Sequence, residues 1–160
     1  MNRVDKIMKN DGFLRLVADI EELEKDRIFC HHDMDHFLDV ARIAVIMASD
    51  ANIELDREMI YAAALLHDIG RGEQYRNNTP HEQASARIAP EILADCDFRD
   101  EEISVIAEAI RQHGNEAVKD EPDLTGLLYR ADKASRKCFM CKAVDQCHKK
   151  PEKRVMTIKY

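Results

Sequence analysis

His67 and Asp68 stand side by side in the apolar stretch "AALLHDIG", just ahead of a glycine that ends a helical pattern. A buried neutral imidazole is tolerable, whereas a buried carboxylate is costly unless it is paired or bound to a cation. The chain supplies partners for such a cation. His32 and His36 are four residues apart, so they share one helix face. His67 continues the inward stripe of Ile60 and Ala63, and Asp132 follows Leu128 beside Ala131 in the same phase. His36, His67, Asp68 and Asp132 can therefore converge from three helices, and two imidazoles with two carboxylates suit Mn²⁺, Fe²⁺, Zn²⁺ or Mg²⁺. His81, in the first turn of another helix, and His113, at the end of the stripe Ile103, Ile106, Ile110, add ligands for a second ion, with Asp68 bridging. Taken singly, each is equally a core histidine, a helix-end histidine or an arginine-paired aspartate. Taken together, at helical phase, they point to metal.

The elements that must position these residues are helical. No stretch alternates in steps of two over a strand's length, and apolar periodicity of three to four dominates. Residues 11–25 form an amphipathic pattern with Phe13, Leu16, Val17 and Ile20 inward, and residues 33–50 are apolar around most of their circumference, as in a central helix. Asp56 caps a third helix that runs through the HD pair to Gly70. Thr79-Pro80-His81-Glu82 reads as a capping box with proline in the first turn of a helix reaching about Ala94. Asp100 opens a helix closed by Gly114, and a last one follows Pro122 as far as about Lys137. With a weak helix near the N-terminus, the expectation is an all-α single-domain bundle of about seven helices over residues 1–137. An irregular, basic tail, residues 138–160, packs on it.

The bulk numbers set bounds. At 160 residues, with 45% hydrophobic and 34% charged residues, the chain fits one soluble domain with a real core. It lacks the apolar run of a membrane span and the leader of a secreted protein, which makes the cytoplasm the expected compartment. Net charge is −7, but the segment from Lys133 onward carries about +7 and the remainder about −14. The acidic body argues against long nucleic acids as partners, and the basic tail is expected to fold back onto it. Self-association is left open.

Five cysteines in such a compartment point to metal binding or buried thiols rather than disulfides. "CFMCKAVDQC" places Cys138, Cys141 and Cys147 as C-x2-C-x5-C, three ligands of a zinc site or an iron–sulfur cluster. Cys30, six residues before His36 as Cys138 is six after Asp132, is the preferred fourth ligand. His148 is the alternative, and reduced thiols without metal a third possibility. Cys96 reads as a small apolar residue near a helix end.

His36 with Val40-Ala41, then "AALLHDIG", then "YRADK", in that order, resemble the HD-domain superfamily of metal-dependent phosphohydrolases, from about Cys30 to Lys137. The resemblance implies an all-α bundle in which His36, His67, Asp68 and Asp132 hold metal and His81 and His113 match the two-metal branch. "HDMDH" is similar to the H-N-x-x-H segment of cyclic-nucleotide phosphodiesterases, with Asp33 in place of asparagine. By that likeness His32 is the general acid, tuned by Asp33 or Asp35. Lys133 and Asp68 join it as catalytic groups, and Arg71, Arg111 and Arg130 are candidates for phosphate contacts. The implied reaction is hydrolysis of a phosphate ester or anhydride of a small molecule such as a nucleotide. A di-iron HD-type oxygenase and a non-catalytic metal- or redox-sensing module are the competing readings.

Overall fold

The computed structural model describes all residues, 1–160, and is built from eight α-helices and four short 3-10 turns. The α-helices are α1 (Asn2–Ile7), α2 (Asp11–Glu24), α3 (Met34–Asp50), α4 (Arg57–Leu66), α5 (Arg71–Asn77), α6 (His81–Asp95), α7 (Asp100–Gln112) and α8 (Leu124–Ala134). No strand is present. α3 is central, packed along α4 and α8, while α6 and α7 pair and close the bundle against α8 and α4. Phe13, Phe37, Leu65, Leu66, Ile106, Ile110 and Leu127 fill the middle, each fully enclosed.

Side-chain caps set several helix starts. Asn10 accepts from the Phe13 N–H, Asp33 from the His36 N–H at 2.9 Å, Asp56 from the Glu58 N–H, and Asp123 from the N–H groups of Thr125 and Gly126. Asp33 thereby fixes the first turn of α3, the turn that carries His36.

The structure departs from the sequence expectation in three places. The α-helical coil ends at Leu66, so that His67–Gly70 form a turn, and α5 follows at once, a helix the sequence pattern did not announce. Its residues, RGEQYRN, are polar all round, and only Gly72 is buried, so no apolar stripe marks it. α6 starts one residue later than the capping-box pattern requires: Pro80 is the cap and the Thr79 hydroxyl turns away to Asn77, while the Glu82 carboxylate lies 3.1 Å from His81 Nδ1. α8 ends at Ala134, short of Lys137, and the tail takes over with 3-10 turns.

Gly70 joins two layers of the site. Its N–H donates to Ser85 Oγ at 2.8 Å, and a Cβ there would lie 2.5 Å from the Ser85 backbone nitrogen and 2.6 Å from Ala84 Cβ. Only glycine allows the HD turn to approach α6 this closely. That approach brings Asp68 against His81.

The tail is fastened to the bundle by an ion pair of Lys153 with Glu116 at 3.2 Å and by burial of Cys138 and Val155, and it is closed on itself by the Phe139 N–H to the Val155 carbonyl. Just ahead of it, Lys137 pairs with Asp39 of α3 at 2.5 Å.

Candidate metal centre

Two helix ends supply two candidate ligands by the same device. His67 directly follows α4 and His113 directly follows α7, where the last carbonyls of a helix have no partner within it. His67 Nδ1 donates to the Ala64 carbonyl at 2.7 Å and His113 Nδ1 donates to the Ile110 carbonyl at 2.6 Å. With Nδ1 directed at a carbonyl, Nε2 of each ring is the nitrogen turned to the interior, the one left for a ligand.

Those nitrogens face others of their kind. His36 Nε2 lies 3.3 Å from His67 Nε2, and His81 Nε2 lies 3.2 Å from His113 Nε2. Asp68 stands between the two pairs, 1% exposed, with one oxygen for each. Its Oδ2 is 3.3 Å from His67 Nε2 and 3.7 Å from His36 Nε2, and its Oδ1 is 3.1 Å from His81 Nε2 and 3.6 Å from His113 Nε2. Asp132 Oδ1 completes the first group at 3.7 Å from His36 Nε2 and 4.0 Å from His67 Nε2. Ligand atoms of His36, His67 and Asp132, and of His67, Asp68 and His113, lie within 4.8 Å of one another. The buried Asp68 Oδ1 has no aligned hydrogen-bond donor, and its one cationic neighbour is Arg71, with Nε at 3.1 Å. A buried carboxylate so placed amid ring nitrogens is costly alone and fits divalent ions. The donor set of imidazole and carboxylate fits Mn, Fe or Zn.

Electrostatics agree with ionised acids at this depth. Burial would raise the Asp68 carboxyl, but His67 and Arg71 hold it well below the usual range. Burial likewise opposes Lys133 and His67 at Asp132, whose carboxyl is also held low. Burial pushes the His67 imidazole down, toward the neutral, ligating form.

His32 occupies the edge of this centre. Its Nε2 is 3.7 Å from Asp68 Oδ2, and its ring meets that of His36 edge to face at 5.5 Å. Its partner is neither Asp33, spent on capping α3, nor Asp35, but Glu24 at the end of α2. Glu24 is 2% exposed; Oε1 accepts from His32 Nδ1 at 2.5 Å, Oε2 accepts from the His32 N–H at 2.8 Å, and the Tyr75 hydroxyl of α5 donates to Oε1. Burial alone would raise the Glu24 carboxyl; these donors overcome it and hold it at about 2. The signal for Glu24 was present in the sequence, since it continues Phe13, Val17 and Ile20 on the inward stripe. His31 points outward, 44% exposed.

The cationic residues divide. Arg71 Nε lies 3.1 Å from Asp68 Oδ1, and Lys133 Nζ lies 2.5 Å from Asp132 Oδ2 and 3.3 Å from the His113 carbonyl. Both line a cavity of about 600 Å³ that opens over His32, His36, His81, His113 and Asp132. Arg111 and Arg130 do not line it. Arg111 pairs with Glu108 on an exposed face, and the Arg130 guanidinium binds the carbonyls of Lys119 and Glu121. In their place the cavity wall carries Arg27, Arg136, Lys149 and Arg154, which helical phase could not reveal. Cys30, Cys138, Cys141 and Cys147 line the same cavity.

An all-α bundle presenting H…HD…D from α3, the end of α4 and α8 is the arrangement of one family, and the HD domain sequence model matches residues 33–137. The chain belongs to the HD-domain family, a superfamily of metal-dependent hydrolases. It is 40% identical to an uncharacterized protein of Clostridium beijerinckii (strain ATCC 51743 / NCIMB 8052), over 160 residues and the full length of both chains. No solved structure matches it significantly. No helix is long and apolar enough to cross a membrane.

Proposed function

We propose that the protein is a phosphohydrolase that cleaves a phosphate ester or anhydride of a small molecule, with nucleotides in the size range that the cavity admits. The observation that carries this reading is the division of Asp68, one oxygen toward each histidine pair, beneath a cavity walled by cations. His36, His67, Asp68 Oδ2 and Asp132 would hold one ion, and His81, His113 and Asp68 Oδ1 a second. When bound, such ions supply Lewis acidity toward phosphoryl oxygens and a nucleophile from water at neutral pH.

The remaining roles fall to the chain itself. His32, protonated at Nε2 and anchored through Nδ1 by Glu24, delivers a proton to the departing oxygen. Arg71 and Lys133, each beside a ligand carboxylate, face the space where phosphoryl oxygens lie and stabilise their charge. Arg136 and Lys149 hold the rest of an anionic substrate, while Arg27 and Arg154, committed to the carbonyls of Cys30, Lys149 and Cys147, add positive charge to the wall. That ring of cations favours phosphate chemistry over the di-iron oxygenase, which needs the same ligands but no anion-binding wall. The free thiols fit a reducing compartment, which we take to be the cytoplasm.

The test is a panel of nucleotides and small phosphate esters assayed with protein loaded with Mn²⁺, Fe²⁺ or Zn²⁺. Release of inorganic phosphate is expected, lowered by at least roughly 10³-fold in Asp68→Ala and His67→Ala, with helical content unchanged. Equal phosphate release by both variants would refute the reading. Iron-dependent oxygen consumption without phosphate release would establish the oxygenase instead.

A further inference from the structure

The thiols have no part in that chemistry, yet the fold gathers them. Between Cys138 and Cys147 the backbone runs through three successive i→i+3 turns. The Cys141 N–H donates to the Cys138 carbonyl at 3.2 Å, the Val144 N–H to the Cys141 carbonyl at 3.3 Å, and the Cys147 N–H to the Val144 carbonyl at 3.2 Å. The backbone is extended at Cys141 and Cys147, so the segment is a chain of short turns, and Cys138, Cys141, Val144 and Cys147 all line the one cavity.

Cys30 approaches that segment from the loop between α2 and α3. The neighbouring Phe29 ring packs edge to face on His148, the neighbour of Cys147, with centroids 5.8 Å apart. Two cationic side chains pin the backbone on either side: Arg27 Nε donates to the Cys30 carbonyl at 2.8 Å, and Arg154 Nη2 to the Cys147 carbonyl at 2.9 Å. Cys30 is exposed, and it lines the same cavity as Cys138, Cys141 and Cys147.

We propose that Cys30, Cys138, Cys141 and Cys147 form a thiolate site for a single zinc ion, distinct from the histidine–aspartate centre in the same cavity. The four thiols stand outside the compact ligand sets described above. The ion draws them together by side-chain rotation in a segment made of short turns, and each thiol that ligates gives up its proton to solvent. Its effect is to clip the tail to the loop that leads into His32. Cys96 is buried under the far end of α6 and takes no part. The site stands whether or not the other centre hydrolyses phosphate.

Cobalt substitution separates the two sites. Metal-free protein titrated with Co²⁺ is expected to show sulfur-to-cobalt charge-transfer absorption that reaches its plateau at one ion per chain and is bleached by Zn²⁺. The histidine–aspartate centre contributes no such band. Cys141→Ser and Cys147→Ser should abolish it and Cys30→Ser should weaken it at least roughly tenfold in cobalt affinity, while Cys96→Ser and His148→Ala retain it. Asp68→Ala, which disables the other centre, should leave the band intact. As a check that does not depend on a variant folding, zinc should shield four of the five thiols of the wild-type chain from alkylation, and a chelator should expose them. Absence of the band in wild-type protein, or its persistence in Cys141→Ser and Cys147→Ser, would overturn the proposal. Loss in His148→Ala with retention in Cys30→Ser would overturn the fourth ligand. Iron with acid-labile sulfide in anaerobically purified protein would overturn zinc.

Discussion

Glu24→Gln is the perturbation that most directly probes how the site handles a proton. Three donors converge on the two oxygens of Glu24: the His32 ring, the His32 backbone N–H and the Tyr75 hydroxyl. An amide in that position keeps the shape but, in either orientation, turns an NH₂ group toward a donor. Glu24 is held at about 2, so in the wild type it is anionic throughout the range in which the enzyme would be assayed. Burial pushes the His32 imidazole down, and Glu24 with Asp68 opposes that shift; in the proposed mechanism Glu24 thereby favours the imidazolium from which the proton would depart. A charge-assisted hydrogen bond of this kind contributes about 1.5–3 kcal/mol. If the whole of it is expressed in the transition state, the rate falls roughly 10- to 150-fold. The assay compares two leaving groups on one phosphoryl centre. A p-nitrophenyl ester departs without a proton, whereas a nucleoside or alkyl ester needs one. The expected result is a full loss on the alkyl ester and a loss within about threefold on the nitrophenyl ester, with thermal unfolding recorded to separate any cost to the fold. Equal losses on both esters would refute proton delivery by His32 and leave Glu24 a purely structural residue.

Other expectations follow from the same geometry. Gly70→Ala must push α6 from the HD turn; overpacking of this kind costs about 2 kcal/mol, read as a drop of roughly 4–8 °C in Tm, together with weaker metal uptake. Arg71→Ala should lower kcat/KM roughly 10- to 100-fold, whereas Arg111→Ala should leave it within about twofold, which steady-state kinetics on a phosphorylated substrate resolves. At the far end of the bundle, Arg3 binds Glu58 at 2.6 Å and Glu102 at 2.8 Å; Arg3 holds the Glu58 carboxyl at about 2, and Arg99 first, then Arg3, holds that of Glu102 at about 2. Depressed carboxyls stabilise the fold fully above their ordinary value near 4.5 and lose that contribution as pH falls through 2. Stability measured by denaturant unfolding should therefore decline from about pH 5 to pH 2, and Arg3→Met should flatten that slope.

The legible part of this molecule was whatever helical phase can encode. Ile60, Ala63 and His67 share a stripe, as do Leu128 and Asp132, and the spacing alone was enough to place these side chains inward. Phase also carried Glu24, but a carboxylate closing an amphipathic stripe looks like the start of a polar face until a partner is seen across from it. Arg111 and Arg130 sit beside site residues in sequence and point elsewhere in space, because neighbours along a helix are about 100° apart around it. Besides Arg71 and Lys133, the cations that reach the cavity come from the loop at Arg27, from Arg136 just past α8, and from the tail at Lys149 and Arg154, where no period exists to be read. α5 escaped for the same reason, being a helix without an apolar face.

Glu24 and His32 lie ahead of the matched HD segment, and Lys149 and Arg154 lie behind it. The matched segment thus holds every candidate ion ligand of the histidine–aspartate centre, while the proposed acid and much of the cationic wall come from its flanks. A fragment trimmed to residues 33–137 would keep that ligand set and lose Glu24, His32, Arg27, Lys149 and Arg154.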